Sequence, residues 1–229
     1  MTKKKLVILT GAGISAESGL KTFRDNGGLW EGHKPQEVAN PRAWQRNPKM
    51  VLDFYNFRRS EVLKVQPNAA HIGLAELQDQ YDMQIITQNV DDLHERAGSR
   101  NVLHLHGEIF KMRSVRNENK IYDITGDINL GDKAEDGGQL RPHIVWFEEP
   151  VPLITKAAEI TSEADIFVVI GTSLVVYPAA GLLDYTQPGI PVFILDKSIP
   201  EHRSGIRITT IEAPATEGIE QLKTLLAAL

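Results

Sequence analysis

Short apolar runs recur along the chain at intervals that suit a single sheet. They are Leu6–Leu9, Met83–Thr87, Val102–Leu105, Ile166–Ile170, Val192–Leu195 and Ile206–Ile211. Their length and their Val, Ile and Leu content predict buried strands. Helical segments lie between most of them. Asn68 is placed to cap a helix over Ala69–Asp79, with Leu74 and Leu77 facing inward. Others are expected over Leu153–Glu163, over Ala179–Tyr185 after Pro178, and over Thr216–Ala228. Alternating strands and helices predict an α/β fold, a parallel sheet with helices on both faces.

Two stretches break the alternation. Residues 35–65 read as helix only, and Asn47-Pro48 opens one with Asn as cap and Pro at the first helical position. From Lys111 to Leu140 the chain is polar and rich in turn residues. These insertions predict a small lobe (35–65 and 107–140) beside a sheet lobe built from 1–34, 66–106 and 141–229. A chain of 229 residues suits one domain with a small insert.

Composition narrows the function classes. Hydrophobic residues make up 41% and charged residues 24%, as in ordinary globular chains. A net charge of −5 without a basic stripe argues against nucleic acid as a partner. No apolar run approaches a membrane span. Lys3-Lys4-Lys5 precedes only Leu6–Leu9, too short for a signal-peptide core, so a cytoplasmic protein is expected. The absence of cysteine excludes disulfides, thiolate chemistry and every Cys-based zinc site.

Candidate chemistry clusters after the strands. Gly11-x-Gly13-x-x-Ala16 follows the first run and matches the dinucleotide fingerprint with its permitted alanine. Gly11 and Gly13 are expected to take backbone angles closed to other residues and to let a ligand approach. The N–H groups beyond them then face a pyrophosphate as a helix begins. A dehydrogenase would continue into a second strand ending in Asp or Glu about 20 residues on. Here a turn-rich loop, Leu20–Trp30, follows instead. Phe23, Arg24 and Trp30 on it predict a lid over a nucleotide, since a solvated loop gains little from large rings.

Gln88-Asn89-Val90-Asp91 follows the strand Met83–Thr87, on the side where α/β sheets bind ligands. Amides and a carboxylate there can hold ribose hydroxyls and a carboxamide; the same residues also read as caps of the next helix. His104 and His106, two apart, would share a strand face and could form a metal pair. No third ligand has suitable spacing, and no metal is expected. A histidine before Gly107 also suits a general base near neutral pH. Gly171-Thr172-Ser173 offers hydroxyls for ribose or phosphate, or a plain turn. Asp196 ends Val192–Leu195, where acidic residues hold ribose. His33, His71, His94, His143 and His202 carry no pattern beyond structural roles.

Taken in order, six runs resemble the sirtuin family of NAD-dependent protein-lysine deacylases. They are Gly11-Ala12-Gly13-Ile14-Ser15, Thr22-Phe23-Arg24, Gln88-Asn89-Val90-Asp91, Leu105-His106-Gly107, Arg141–Phe147 and Gly171-Thr172-Ser173. The resemblance implies a Rossmann-like lobe, a small lobe and a cleft between them. It implies NAD as cofactor, bound by Gly11, Ala12, Gly13, Ile14, Ser15, Ala16, Phe23, Arg24, Trp30, Gln88, Asn89, Val90, Asp91, Gly171, Thr172, Ser173, Asp196 and Ala215. His106 and Asn89 would be catalytic. Acyl-lysine of a protein or peptide would thread past Val145, Trp146 and Phe147, its backbone pairing with strand edges.

Tyr55 and Arg58 lie three apart on the helix opened by Pro48 and share a face. A phenol and a guanidinium can grip one carboxylate. The pair resembles the desuccinylase branch (class III), acting on succinyl- or malonyl-lysine and retaining acetyl-lysine. The same spacing also fits an aromatic packed inward beside a solvated arginine, with Arg59 an example of a surface arginine.

Three departures stand out. Most of the family folds its small lobe around four-cysteine zinc; here Ser114 and its neighbours stand instead, so no zinc is expected. Glu148 replaces a usual glycine in Phe147-Glu148-Glu149, and Asp196 replaces a usual asparagine. The implied reaction is attack of the acyl-lysine oxygen on the anomeric carbon as nicotinamide leaves. His106 then accepts a ribose hydroxyl proton, and lysine and acyl-ADP-ribose are released. A mono-ADP-ribosyltransferase and a non-catalytic NAD-binding sensor use the same nucleotide site and remain the alternatives.

Overall fold

The computed structural model describes residues 2–21, 33–201 and 207–229. Its strands are β1 (Lys5–Thr10), β2 (Asp82–Thr87), β3 (Val102–His104), β4 (Gly107–Ser114), β5 (Ile121–Asp123), β6 (Leu140–Ile144), β7 (Ile166–Ile170), β8 (Val192–Asp196) and β9 (Ile208–Glu212). Its helices are α1 (Ala12–Ala16), α2 (Pro35–Val38), α3 (Pro41–Arg46), α4 (Pro48–Lys64), α5 (Ala69–Leu77), α6 (Leu93–Arg96), α7 (Ile154–Ser162) and α8 (Ala215–Ala227). Ala179–Tyr185 is a 3₁₀ helix rather than an α-helix.

Alternation along β1 sets the layers. Leu6 and Ile8 join Leu74, Leu77, Ile219 and Leu222 in one core, under α5 and α8. Val7 and Leu9 join Ala157, Ala179 and Leu182 in a second core on the opposite face. A strand apolar on both sides must be covered on both sides, which favours a parallel sheet. Six strands form that sheet in the order β3-β2-β1-β7-β8-β9. Its paired registers are all parallel. β1 lies between β2 and β7, so the order reverses there and a crevice opens beyond its carboxyl end. The fold is the α/β, Rossmann-like sheet expected, with a small added sheet. No described helix is long and apolar enough to cross a membrane.

The second unit differs from the expected turn-rich module. β4, β5 and β6 pair antiparallel in the order β5-β4-β6. β6 runs through Ile144, so the small sheet continues past residue 140. Polar residues interrupt the apolar pattern of the three strands, and buried Arg113 and Arg141 back the apolar face. That face packs with α4 through Leu52, Ile128, Ala134 and Leu140.

Arg59, expected on the surface, is only 1% exposed. Its Nε donates to the Ile109 carbonyl at 2.8 Å, and Nη1 donates to Asn56 Oδ1 at 2.9 Å and to the Gly126 carbonyl at 3.1 Å. Burial lowers its pKa to about 10, against the nearby Asp127. The arginine ties α4 to β4 and to the loop after β5. Sequence spacing could not show this, since its partners are mostly main-chain carbonyls.

Candidate active site

The glycine turn after β1 is shaped by another turn. Gly13 N–H donates to the Gly171 carbonyl at 2.8 Å, and Gly11 N–H to that of Ile170 at 3.0 Å. A Cβ on Gly13 would lie 2.7 Å from Gly171 Cα, and one on Gly11 2.7 Å from Thr172 Cβ. Neither glycine has positive φ, which corrects the expectation of special backbone angles. Glycine is required there because two loops touch. Of these three glycines, Gly171 alone takes the left-handed region, with φ +63°.

Around this contact lies a cleft of about 750 Å³. It collects Gly11, Ala12, Gly13, Ser15 and Ala16 from the first turn, and Gln88, Asn89, Val90 and Asp91 after β2. Gly171, Thr172 and Ser173 follow β7, Asp196 ends β8, and Ala215 opens α8. His106, Val145, Trp146, Phe147, Tyr55 and Arg58 complete its other end. Ile14 is the exception. Its side chain is fully buried in the core beneath α5 and α8 and does not line the cleft. Phe23, Arg24 and Trp30 lie outside the described residues.

Asn89 Nδ2 donates to the Gly11 carbonyl and to Ser15 Oγ, both at 3.1 Å, and so locks β2 to the glycine turn. Gln88 Nε2 donates to Thr172 Oγ1 at 3.1 Å. Asp91 Oδ1 accepts from Leu93 N–H at 3.2 Å, so it both lines the cleft and braces the start of α6. Burial raises the Asp91 pKa, against hydrogen bonds from Leu93 and Ser15.

The two neighbouring histidines part company. His104 Nε2 lies 2.8 Å from Glu95 Oε1, and Nδ1 lies 3.0 Å from the Asn89 carbonyl. Burial would lower its pKa, but Glu95 wins and raises it, favouring an imidazolium locked in an ion pair. His106 lies beyond the end of β3 and faces the cleft. A shared strand face for a metal pair is therefore not formed. Among the described residues, no group of three His, Cys, Asp or Glu could hold a metal.

His106 Nδ1 lies 3.0 Å from the Gln88 carbonyl. A carbonyl can only accept, so Nδ1 carries the proton and Nε2 is left as the basic nitrogen. Burial lowers the His106 pKa, partly opposed by that hydrogen bond, so the ring is neutral at pH 7.

Sequence reasoning missed several residues. Glu17 Oε2 accepts from Thr216 N–H at 3.0 Å, and Oε1 meets Lys197 Nζ at 3.1 Å. Burial opposes the charge, but these partners lower the Glu17 pKa overall. Arg141 grips Glu149 through two nitrogens, at 2.8 and 3.2 Å, and its Cζ stacks 3.3 Å from the Trp146 ring centroid. Tyr55 is buried beside Trp146, Arg141, Glu149 and Arg58, and burial pushes its phenol pKa up. Arg58 is buried too, which removes the reading of a solvated arginine. Local spacing pairs Tyr55 with Arg58 on α4, but only the tertiary fold brings that pair to Arg141, Trp146 and Glu149.

A six-stranded parallel sheet with a glycine turn at its switch point, and a histidine-bearing cleft toward a second unit, defines an α/β protein of dinucleotide-binding type. The Sir2 family matches residues 11–178. The chain is 51% identical over 219 residues to an NAD-dependent protein deacylase of Helicobacter pylori strain J99, covering 96% of this chain and 94% of that one. It is 50% identical over 229 residues to one from Bacteroides thetaiotaomicron, covering 97% and 98%. A crystal structure of a Sir2 homologue–NAD complex superposes with a TM-score of 0.88 at 38% identity, covering 99% of this chain and 90% of that one. The chain therefore belongs to the Sir2 family, the sirtuins.

Proposed function

We propose that the chain is an NAD-dependent protein-lysine deacylase that removes succinyl or malonyl groups and retains activity on acetyl-lysine. The observation that carries the reading is one cleft holding the glycine turn, a neutral His106 and a buried Tyr55–Arg58 pair. Relatives of about half identity bear the deacylase name.

The donors fit a dinucleotide. The Gly11–Gly13 turn opens toward the cleft, Thr172 and Ser173 offer hydroxyls, and Asp196 and Ala215 line the same wall. Bound there, NAD supplies an anomeric carbon that an acyl oxygen can attack as nicotinamide departs. Asn89 and Asp91 would hold the nicotinamide, and Asn89 is fixed by Gly11 and Ser15. His106 Nε2 accepts the proton of a ribose hydroxyl, and its Nδ1–H bond to Gln88 holds the ring in the required tautomer. Val145, Trp146 and Phe147 wall the acyl-lysine path. At the inner end, Arg58 meets an acyl carboxylate with charge-assisted hydrogen bonds, and the Tyr55 hydroxyl adds another. Burial keeps that phenol protonated and so a donor.

Acetyl- and succinyl-lysine peptides incubated with and without NAD, read by mass spectrometry, test the proposal. Loss of the acyl mass only with NAD, together with acyl-ADP-ribose, is expected. Labelled NAD leaving its label on protein would instead favour mono-ADP-ribosyl transfer, and nucleotide binding without either product a sensor.

A further inference from the structure

Two successive carboxylates follow the acyl-lysine path and have opposite fates. Glu149 turns inward, where Arg141 holds both its oxygens and Trp146 N–H donates to Oε2 at 2.8 Å. Glu148 lines the cleft, and its side chain is 52% exposed. It meets Arg42 Nε of α3 at 3.4 Å, and that arginine is 79% exposed. A pair so open to water is weak and exchanges its partners easily.

The backbone supplies an independent observation. Glu149 N–H donates to the Trp146 carbonyl at 3.1 Å and closes a turn with Glu148 at its third position. Glu148 has φ +71°, a conformation that glycine takes freely and side chains resist. The turn gains nothing from a Cβ at this place. A carboxylate kept there against backbone preference, at a cleft mouth, points to a contact outside the turn.

We propose that Glu148 is a specificity-determining residue that selects acyl-lysine segments bearing a Lys or Arg beside the modified lysine. The inference rests on the deacylase reading of the cleft. Arg42 stands in for that cation until substrate arrives, then swings into solvent. Glu149 cannot serve, because Arg141 already neutralises it. The cleft is thus sorted by charge: Arg58 takes an anion at depth, and Glu148 takes a cation at the rim.

The test uses succinyl-lysine peptides whose adjacent residue is Lys, Gln or Glu, with the full chain and its Glu148→Gln and Arg42→Gln variants. Wild type is expected to prefer the Lys-flanked over the Glu-flanked peptide in kcat/KM by about three- to tenfold, as rim charges do. The preference should shrink as salt is raised. Glu148→Gln should bring the ratio close to one, and Arg42→Gln should widen it. A ratio that Glu148→Gln leaves unmoved overturns the assignment while the deacylase reading stands. If wild type turns over no succinyl peptide, the desuccinylase reading falls. Fluorescence anisotropy of the same peptides with ADP-ribose present then decides Glu148 by itself. A charge preference in binding that Glu148→Gln removes sustains the assignment, and its absence overturns it.

Discussion

The large sheet and the small sheet are held by different materials. β1 and β7 bury Leu6–Leu9 and Ile166–Ile170 completely, between two apolar cores. The small unit packs two apolar clusters against its helices, one through Ile109 and Ile144 and one through Ile128 and Leu140, and adds a set of polar knots. Ser114 Oγ donates to Asp136 Oδ1 at 2.8 Å, Gly138 N–H donates to the same oxygen at 2.9 Å, and Arg116 Nη1 donates to the Asp136 carbonyl at 2.7 Å. Asn56 pairs with both backbone groups of Ile128, each at 3.0 Å. Apolar burial scales with area and tolerates some displacement, whereas a hydrogen-bonded knot fails when one member is lost. The cleft lies where the two materials meet.

The largest effect is expected at that seam. His106→Ala should lower deacylation on the order of 10²–10⁴-fold, the usual range for losing a general base, while ADP-ribose still binds by calorimetry. Because the working form is neutral and its pKa lies below the ordinary 6.5, wild-type kcat/KM should hold at pH 7 and fall only on acidification below that value. Activity that rises on acidification would remove the ring from this role.

Phe167→Ala strikes the apolar lobe. Its side chain is fully buried in β7, so about 3–5 kcal/mol should be lost and the whole chain should unfold at lower denaturant. Arg58→Met probes recognition rather than folding. Succinyl-lysine turnover should suffer by about 2–5 kcal/mol more than acetyl-lysine turnover, since an acyl carboxylate loses its buried partner. Equal losses on both substrates would reject the clamp.

Asp136→Ala strikes the polar knot. A loss of stability confined to the small unit is expected, with hydrogen exchange rising in β4 and the loop before β6 and not in β1. Global unfolding would erase the contrast between the two units. The smallest effect is expected from a metal chelator, which should leave Tm unchanged. A fall in Tm would place a metal in the small unit.

Much of the large lobe was legible because its strands are apolar on both faces. Leu6–Leu9, Ile166–Ile170 and Val192–Leu195 announce themselves with no knowledge of their neighbours. Asn68 was readable as a cap for a local reason, and its side chain accepts from Ala70 N–H at 3.0 Å. The small sheet was not legible, since β4 carries partly buried Glu108 and Lys111 and a buried Arg113, whose charges read in sequence as solvated positions. Arg59 was misread for a related cause: an arginine buried by backbone carbonyls looks, in sequence, like one in water. His104 and His106 were equivalent by spacing, and only the turn after β3 separates an ion-paired ring from one facing the cleft.

Sequence by itself determined the sheet, the glycine turn and the family, because these rest on residue type and order over short spans. Tertiary structure alone decided why Gly11 and Gly13 must be glycine, which nitrogen of His106 is basic, and that Glu149 is held inward by Arg141 while Glu148 stays in an open pair at the cleft. Those outcomes depend on contacts between segments far apart in the chain. Burial and partner geometry, not residue identity, set the charge and proton state of a side chain.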